Sequence, residues 1–591
     1  MTLSTISTNS YESQSLAERV RGRQSEYEGR RNLTDAQRDA IVEVCRPDLV
    51  AGLVGPKTEG AFEGSEIVEG TAVHALQIWA RGFRVGMMSR RPGREWFREV
   101  VRDPPRWTGV QFTGNDEVNR YCQDLAEVLQ ADMRRSNLYD VIGAVLLDGG
   151  SVGSPVMTFQ QDLARDRLIC RVPDYASVWL DKDVFGHDNC LHVLHELTAL
   201  QAAEFFGPEQ LPDAVRLQLR SGRHYEKTKY LQAIYGSGDP IYDGVELAKA
   251  RPWLEHFIVY QTTGADAKKL LKPKRYGPGY FTRPFASWHY HRNEHEVYGR
   301  TMAWWAIYDI RGLNGMWESL FAEAELSIRP VTWAMDALRG MLDLAPGGQN
   351  WARNESEYNM PPQYLDRHTR YQPGIDFTER LIQGVQRHFH YSFFMSMNQI
   401  VMQKTQPETA YALSRVQAEN GIQLIEQVES YEQQVLGVIH DVFFDARRRA
   451  QPAYDWGELP KPPDILLEYS QDAEVSVEFV GPLSLTEIND VAIDRFYRVM
   501  GPARAVFEVA PETVHKFRWS QILEQLAEAQ NFKQDHIVSE DDYQAILQGL
   551  QQRAIQQEIA EAAPKMTKAV KNLESSVEKD SPLAALAGGK R

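Results

Sequence analysis

Two runs have the residue types and spacing of catalytic loops. Gly149-Gly150-Ser151-Val152-Gly153 matches G-x-S-x-G. A nucleophile elbow needs a strand before the serine and a helix after it. Here the preceding run, 138–147, reads as helix and Pro155 opens an extended run. A glycine turn between helix and strand is the better reading, and a serine hydrolase the remote one. Gly55-Pro56-Lys57-Thr58 imitates the end of a phosphate loop. That loop cradles phosphate with successive backbone N–H groups in G-x-x-x-x-G-K-[ST]. Proline has no N–H and separates the glycine from the lysine, so the case for an ATPase falls.

Two histidine groups invite a metal reading. His187, Cys190, His192, His195 and Glu196 sit close in sequence, but a strand would point His192 and His195 to opposite faces. His289, His291 and His295, beside Glu294 and Glu296, cluster better, since alternation puts His289 and His291 on one face. An interface or surface remains the plainer reading, and we expect neither metal nor cofactor. Basic clusters at 81–94, 268–275 and 447–449 could touch phosphate, or serve as solvated faces and helix C-termini. The loop 399–407 is apolar at 400–402 and then polar: Gln403, Lys404, Thr405 and Gln406 carry a single cation. Such a loop suits weak contact with something that must pass.

Two amphipathic helices organise the elements that would position these groups. Within 296–328 the apolar residues Ile307, Ile310, Leu313, Met316, Trp317, Leu320, Phe321 and Ala324 recur at helical spacing. Pro330 ends that run. Within 376–398, Leu381, Ile382, Val385, Phe389, Phe393 and Met397 make a second stripe. The stretch between them, 329–375, is broken by Pro346-Gly347-Gly348, Pro361-Pro362 and Pro373-Gly374. The pattern predicts a hairpin-like helix pair with a module inserted at its tip.

Around this pair, 591 residues suggest two to four modules. A net charge of -16 argues against clamping nucleic acid by bulk charge. Four cysteines imply no disulfide framework and a reducing compartment. The polar N-terminus has no signal-peptide core, and no apolar run approaches the roughly 20 residues of a membrane span. Residues 1–30 read as a mobile arm, with the first helix at 33–44. Helices are expected at 71–88, 116–135 and 138–147. A strand meander follows at 154–159, 168–172, 177–180 and 192–197. Helices at 198–206 and 213–220 and strands at 229–235 and 256–261 come next, then an extended run at 283–290. A third long helix spans 408–449, and 474–480 alternates as a strand. Helices at 485–500, 519–529 and 540–561 precede a disordered tail, 575–591.

Six collinear pieces carry a family likeness. They are 71–88 followed by Trp96-Phe97, and 141–153 followed by strands. Next come Arg283-Pro284-Phe285 leading to Glu296-Val297-Tyr298-Gly299-Arg300 and a helix with Asp309, Ile310, Leu313 and Asn314. The others are Leu344-Ala345-Pro346-Gly347-Gly348, the helix start at 409–420, and Val475 to Leu483. In this order the chain resembles the head-to-tail connector, or portal, proteins of short-tailed double-stranded DNA bacteriophages. Departures are local: His295 replaces the glycine of the GE-x-YGR signature, Gly481 the serine of an SPL turn, and Ala412 a glutamate.

The resemblance implies a non-enzymatic α+β subunit that assembles into a ring of about twelve copies. Its parts would be a flexible arm (1–30), a wing (31–295 and 408–482), and stem helices (296–328 and 376–398). A clip (329–375), a tunnel loop (399–407), a helical crown (483–574) and a disordered tail (575–591) complete it. Leu313, Met316, Trp317, Leu320, Phe321, Leu381, Val385 and Phe389 would pack stem against neighbouring stem. Pro346, Gly347, Gly348 and Trp351 would dock partners on the clip. Gln403, Lys404, Thr405 and Gln406 would meet DNA. Implied partners are the major capsid protein, the large subunit of the terminase packaging motor, tail adaptor and tail proteins, scaffold or internal ejection proteins, and double-stranded DNA passing through the channel. No membrane is implied. The particle would be assembled in the host cytoplasm and stand at the portal vertex of the virion. The alternative is a tail adaptor or capsid protein without a DNA channel.

Overall fold

A computed structural model describes residues 15–49, 67–88, 95–102, 115–162, 167–242, 251–260, 264–274, 279–328, 371–395, 424–450, 459–468 and 474–481, with short pieces at 332–333, 363–364 and 545–556 and a few single positions. The chain is α+β. Helix α1 (Leu16–Cys45) comes first, so the arm expected over 1–30 is helical from Leu16 onward. Sequence periodicity missed this part because α1 docks with arginines more than with an apolar stripe. Arg23 pairs with Asp239 (2.7 Å), and Arg31 stacks over Tyr175 and Trp179 and bonds Val178 O. Further along, Arg38 bonds Val152 O at 3.0 Å, and Arg46 bonds Asp148 at 2.8 Å.

The principal core gathers α2 (Thr71–Met87), α3 (Asp116–Arg135) and α4 (Leu138–Ser151) with the later long helices. The Asn115 side chain caps α3, accepting from the N–H of Glu117 and of Val118. A Cβ on Gly149 would stand 2.6 Å from Trp288, and one on Gly150 2.8 Å from Trp79. The paired glycines therefore let two tryptophans, stacked 6.2 Å apart, close onto α4. Packing, rather than catalysis, accounts for that glycine pair.

The strands expected as one meander divide between two sheets. β2 (Val156–Asp162) joins β3 (Arg167–Arg171) and β9 (Phe285–Ser287) in a three-stranded sheet. β4 (Val178–Lys182), β5 (Asp188–Thr198), β6 (Lys227–Gly236), β7 (Trp253–Val259) and β8 (Gly279–Tyr280) form a five-stranded antiparallel sheet in sequence order. Between β5 and β6 lie α5 (Ala199–Phe206) and α6 (Asp213–Arg220), at the expected positions. β1 (Phe97–Arg102) pairs with β12 (Glu474–Phe479) in register from Phe97↔Phe479 to Arg102↔Glu474. The late alternating segment is thereby fastened to the first part of the chain.

The helix pair is α7 (Met302–Ile328) and α8 (Tyr371–His388). α7 begins six residues later than the expected 296. α8 begins before 376 and ends well before 398. His390, at φ 49, takes a left-handed conformation that bulky residues adopt only at a cost. The chain then resumes helix over 391–395. Phe393 and Phe394 are buried beyond this break. In the insert, β10 (Thr332–Trp333) pairs with β11 (Gln363–Tyr364). The described part of the third long helix is α9 (Ile425–Tyr431), one π-helical turn (Glu432–Leu436) and α10 (Gly437–Ala450), followed by the short α11 (Asp464–Glu468).

Candidate functional site

The serine motif resolves into a joint. Ser151 ends α4 and is buried; its hydroxyl donates to Leu147 O (2.6 Å) and accepts from Arg46 (3.2 Å). No strand precedes it, so it has none of the elbow's geometry. Three residues on, Ser154 sits at φ 50. Its hydroxyl lies 2.8 Å from Nδ1 of His289, whose Nε2 lies 2.8 Å from Oδ2 of Asp188. The order Ser–His–Asp is that of a hydrolase, but the setting is not. All three side chains are buried, and the N–H of Gly299 already donates to Ser154 Oγ at 2.7 Å. Arg292 binds Asp188 at 2.6 Å, with Arg283 3.8 Å away. Burial opposes ionisation of Asp188, yet His289 and the two guanidiniums outweigh it and hold the carboxyl well below its usual range. The sequence pattern drew attention to His289 only as part of a histidine cluster and to Ser151 only as part of a glycine turn, and singled out neither Ser154 nor Asp188.

The signature segment 296–300 belongs to the same joint. Glu296 pairs with Arg300 at 2.6 Å. Tyr298 accepts from the N–H of Leu180 on β4 (3.1 Å) and lies under the Arg38 guanidinium. Gly299 is bonded to Ser154 through its N–H and to Arg38 through its carbonyl. One short stretch therefore ties α1, β4, the turn leading into β2 and the start of α7.

The other histidines are dispersed. His192 faces Gln24 and Tyr235, and His195 faces Gln232, from opposite sides of β5. Burial pushes His192 down to about 3 and lowers His195 as well. His291 bridges Arg300 by backbone, and the side chain of His295 is exposed. Among the described residues no His, Cys, Asp and Glu side chains gather in a metal-holding group.

α7 and α8 run antiparallel. Leu320 meets Gly374, Leu381 meets Gly312, and Asp309 lies against Gly384 and 3.4 Å from His388. Their facing stripes pack against each other within one chain. Leu313, Val385 and Phe389 are buried core, while Trp317 and Leu381 pack against that core. Met316 and Leu320 are half-buried, and of the eight expected contact residues only Phe321 is exposed. The outward apolar side chains are different ones. Trp305 and Tyr308 lie near the base of the pair, Phe321 and Ile328 towards its tip, and Ile375 and Phe377 at the start of α8. α7 is apolar on more than one side, so periodicity alone could not say which side the partner helix covers.

The π-turn abuts the joint: Gly437 N donates to Glu432 O, and Gln434 accepts from the N–H of His289 (3.2 Å). Of the basic clusters, Arg447 is committed to Asp132 at 2.9 Å and Arg449 to Asp445 at 2.5 Å. Gln403, Lys404, Thr405, Gln406, Pro346, Gly347, Gly348 and Trp351 lie outside the described residues, as does the phosphate-loop mimic at 55–58. No described helix is long and apolar enough to cross a membrane. A family model described as bacteriophage head to tail connecting protein matches residues 17–538. No curated protein matches the chain.

Proposed function

The chain belongs to the bacteriophage head-to-tail connecting proteins, a structural rather than enzymatic family of the virion, and from that membership we propose that copies of it close into a ring at one capsid vertex. The observation that carries the ring is the apolar surface that the α7–α8 pair leaves uncovered on its flanks. Trp305, Tyr308, Phe321, Ile328, Ile375 and Phe377 stay exposed after the inner stripe has been buried. Large apolar surface on one subunit marks an interaction site, and head-to-tail contacts between copies bury it if the rotation closes.

In this reading α7 and α8 form the stem, and about twelve of them surround a channel for DNA packaging and ejection. The insert 329–375 is the clip, where the terminase large subunit docks and is later replaced by the tail adaptor. The sheets and α1–α6 are the wing, which faces the major capsid protein. The segment 483–574 forms the crown, with 575–591 as a tail, near scaffold or ejection proteins. The loop with Gln403, Lys404, Thr405 and Gln406 touches passing duplex. The net charge of -16 per copy keeps DNA from adhering to the wall. Assembly takes place in the host cytoplasm.

Sedimentation velocity and negative-stain imaging of the purified chain test this reading. Rings with a central hole wide enough for duplex DNA are expected. A strictly monomeric particle at high concentration would overturn it. Closed oligomers without such a hole would favour a tail adaptor or capsid component instead. Lys404→Ala is expected to alter packaging or DNA retention without altering ring formation.

A further inference from the structure

Two exposed apolar surfaces stand at opposite ends of strand β5. At its start, the β4–β5 turn lifts Val184 and Phe185 into solvent, 98% and 85% exposed. The turn is held from several sides. The Asp183 carboxylate accepts from the N–H of Phe185 (2.9 Å) and of His187 (2.8 Å), and Asp183 N donates to His187 O (2.8 Å). Gly186 takes the left-handed φ of 88. Arg292 bonds Gly186 O while gripping Asp188. Large apolar side chains on a backbone already ordered make good interface anchors, because burying them costs little further entropy.

At the other end of β5, Thr198 caps α5. The α5–α6 hairpin and its return segment expose Leu200 (55%), Leu217 (60%) and Tyr225 (82%). Backbone bonds draw this corner together. Ala199 N donates to Glu226 O (3.0 Å), Leu200 N to His224 O (3.3 Å), and Ser221 N to Leu217 O (2.9 Å). The exposed Arg220, Arg223 and Glu226 supply a charged rim, the usual anatomy of a contact surface.

β5 is 11 residues long, which sets its two ends about 35 Å apart. A projection at one pole and an apolar corner at the other cannot meet inside one copy, but they can meet between successive copies. We propose that Val184 and Phe185 of each copy seat against Leu200, Leu217 and Tyr225 of the next, a second inter-copy contact made by residues other than those of the helix pair. This rests on the ring reading above and adds the residues that join neighbouring five-stranded sheets.

Cysteine pairing tests it with a low background, because Cys45, Cys122, Cys170 and Cys190 are all buried. Phe185→Cys is combined in turn with Leu200→Cys, Leu217→Cys and Tyr225→Cys in the full chain, and the assembled protein is oxidised. At least one pair is expected to give a reducible ladder of covalent multimers, while each single substitution stays unlinked. A dimer from Phe185→Cys alone would mean that two tips meet each other, and would overturn the proposal. Intact rings with no ladder from any pair would overturn it and leave the ring reading standing. Absence of rings from the unsubstituted chain would overturn both. In parallel, Phe185→Asp is expected to raise the concentration for half-assembly at least tenfold, with the melting temperature of the unassembled chain unchanged. Unaltered assembly would count against the contact.

Discussion

Nε2 of His440, on α10, lies 2.6 Å from Oε1 of Glu99, on β1, with both side chains buried. The contact fastens the long helix to the strand pair formed by β1 and β12. Asp441 lies on the other side of the ring, 3.3 Å from Nδ1. Burial opposes the imidazolium, but the bonds to Asp441 and Glu99 outweigh it and raise the His440 pKa to about 9.

A raised histidine pKa fixes the sign of a pH effect. The stabilisation is complete below the unfolded value of about 6.5 and is lost as pH rises through about 9. Its size is on the order of 3 kcal/mol. Urea midpoints are expected to fall between pH 7 and 10 in the unsubstituted chain, and His440→Gln should flatten that fall. A midpoint that climbs with pH across this window would contradict the assignment.

Gly82 and Phe394 are packed without a gap. A Cβ at position 82 would come within 2.8 Å of the Phe394 Cβ, an atom that a rotamer change cannot move away. Gly82→Ala should therefore cost about 1–3 kcal/mol and loosen 391–395 from α2. Chemical denaturation measures the cost, and hydrogen exchange over 391–395 locates it.

Two losses compete at Ser154. Removing the hydroxyl leaves Gly299 N–H and His289 Nδ1 without their partner, a cost of about 1–3 kcal/mol. The positive φ penalises any residue with a Cβ. Ser154→Gly should consequently be less destabilising than Ser154→Ala. The opposite order in denaturation midpoints would show that the backbone at 154 is unstrained. Neither variant should affect assembly, nor should Ser151→Ala; an esterase activity lost in either position, with assembly intact, would revive the hydrolase reading.

The inner and outer faces of the helix pair should separate in mutagenesis. Leu313→Ala removes buried core and should cost about 2–5 kcal/mol of subunit stability. Tyr308→Ala changes an exposed side chain and should leave subunit stability within about 0.5 kcal/mol while weakening the oligomer. Thermal melts of the unassembled chain and sedimentation of the assembled one report the two effects independently.

The sequence made the long elements legible and hid the relations between them. Helical spacing located α7 and α8, and alternation located β12, because each repeats a simple period. Which face of α7 meets α8 was hidden, since Tyr308 and Leu313 are both large and apolar. The break after His388 was also hidden, because no glycine or proline marks it. The second half of α1 was legible as a helix at 33–44, but its first half escaped because docking residues such as Arg23 and Arg31 look like a solvated face until the acceptors opposite them are known. The joint at Ser154 brings together residues 101 and 135 positions apart, which no local pattern can register.

The π-turn at Glu432–Leu436 bears on how the chain can vary in length. A single π-turn holds one residue more than the same rise of α-helix needs. Deleting one residue there would restore plain α-helix and keep Val428 and Tyr431 on one side, and Ile439 and Phe443 on the other, facing the core that now buries them. A deletion elsewhere in the helix would rotate every side chain beyond it by about 100°. Among related chains, length differences within this helix should therefore collect at 432–436.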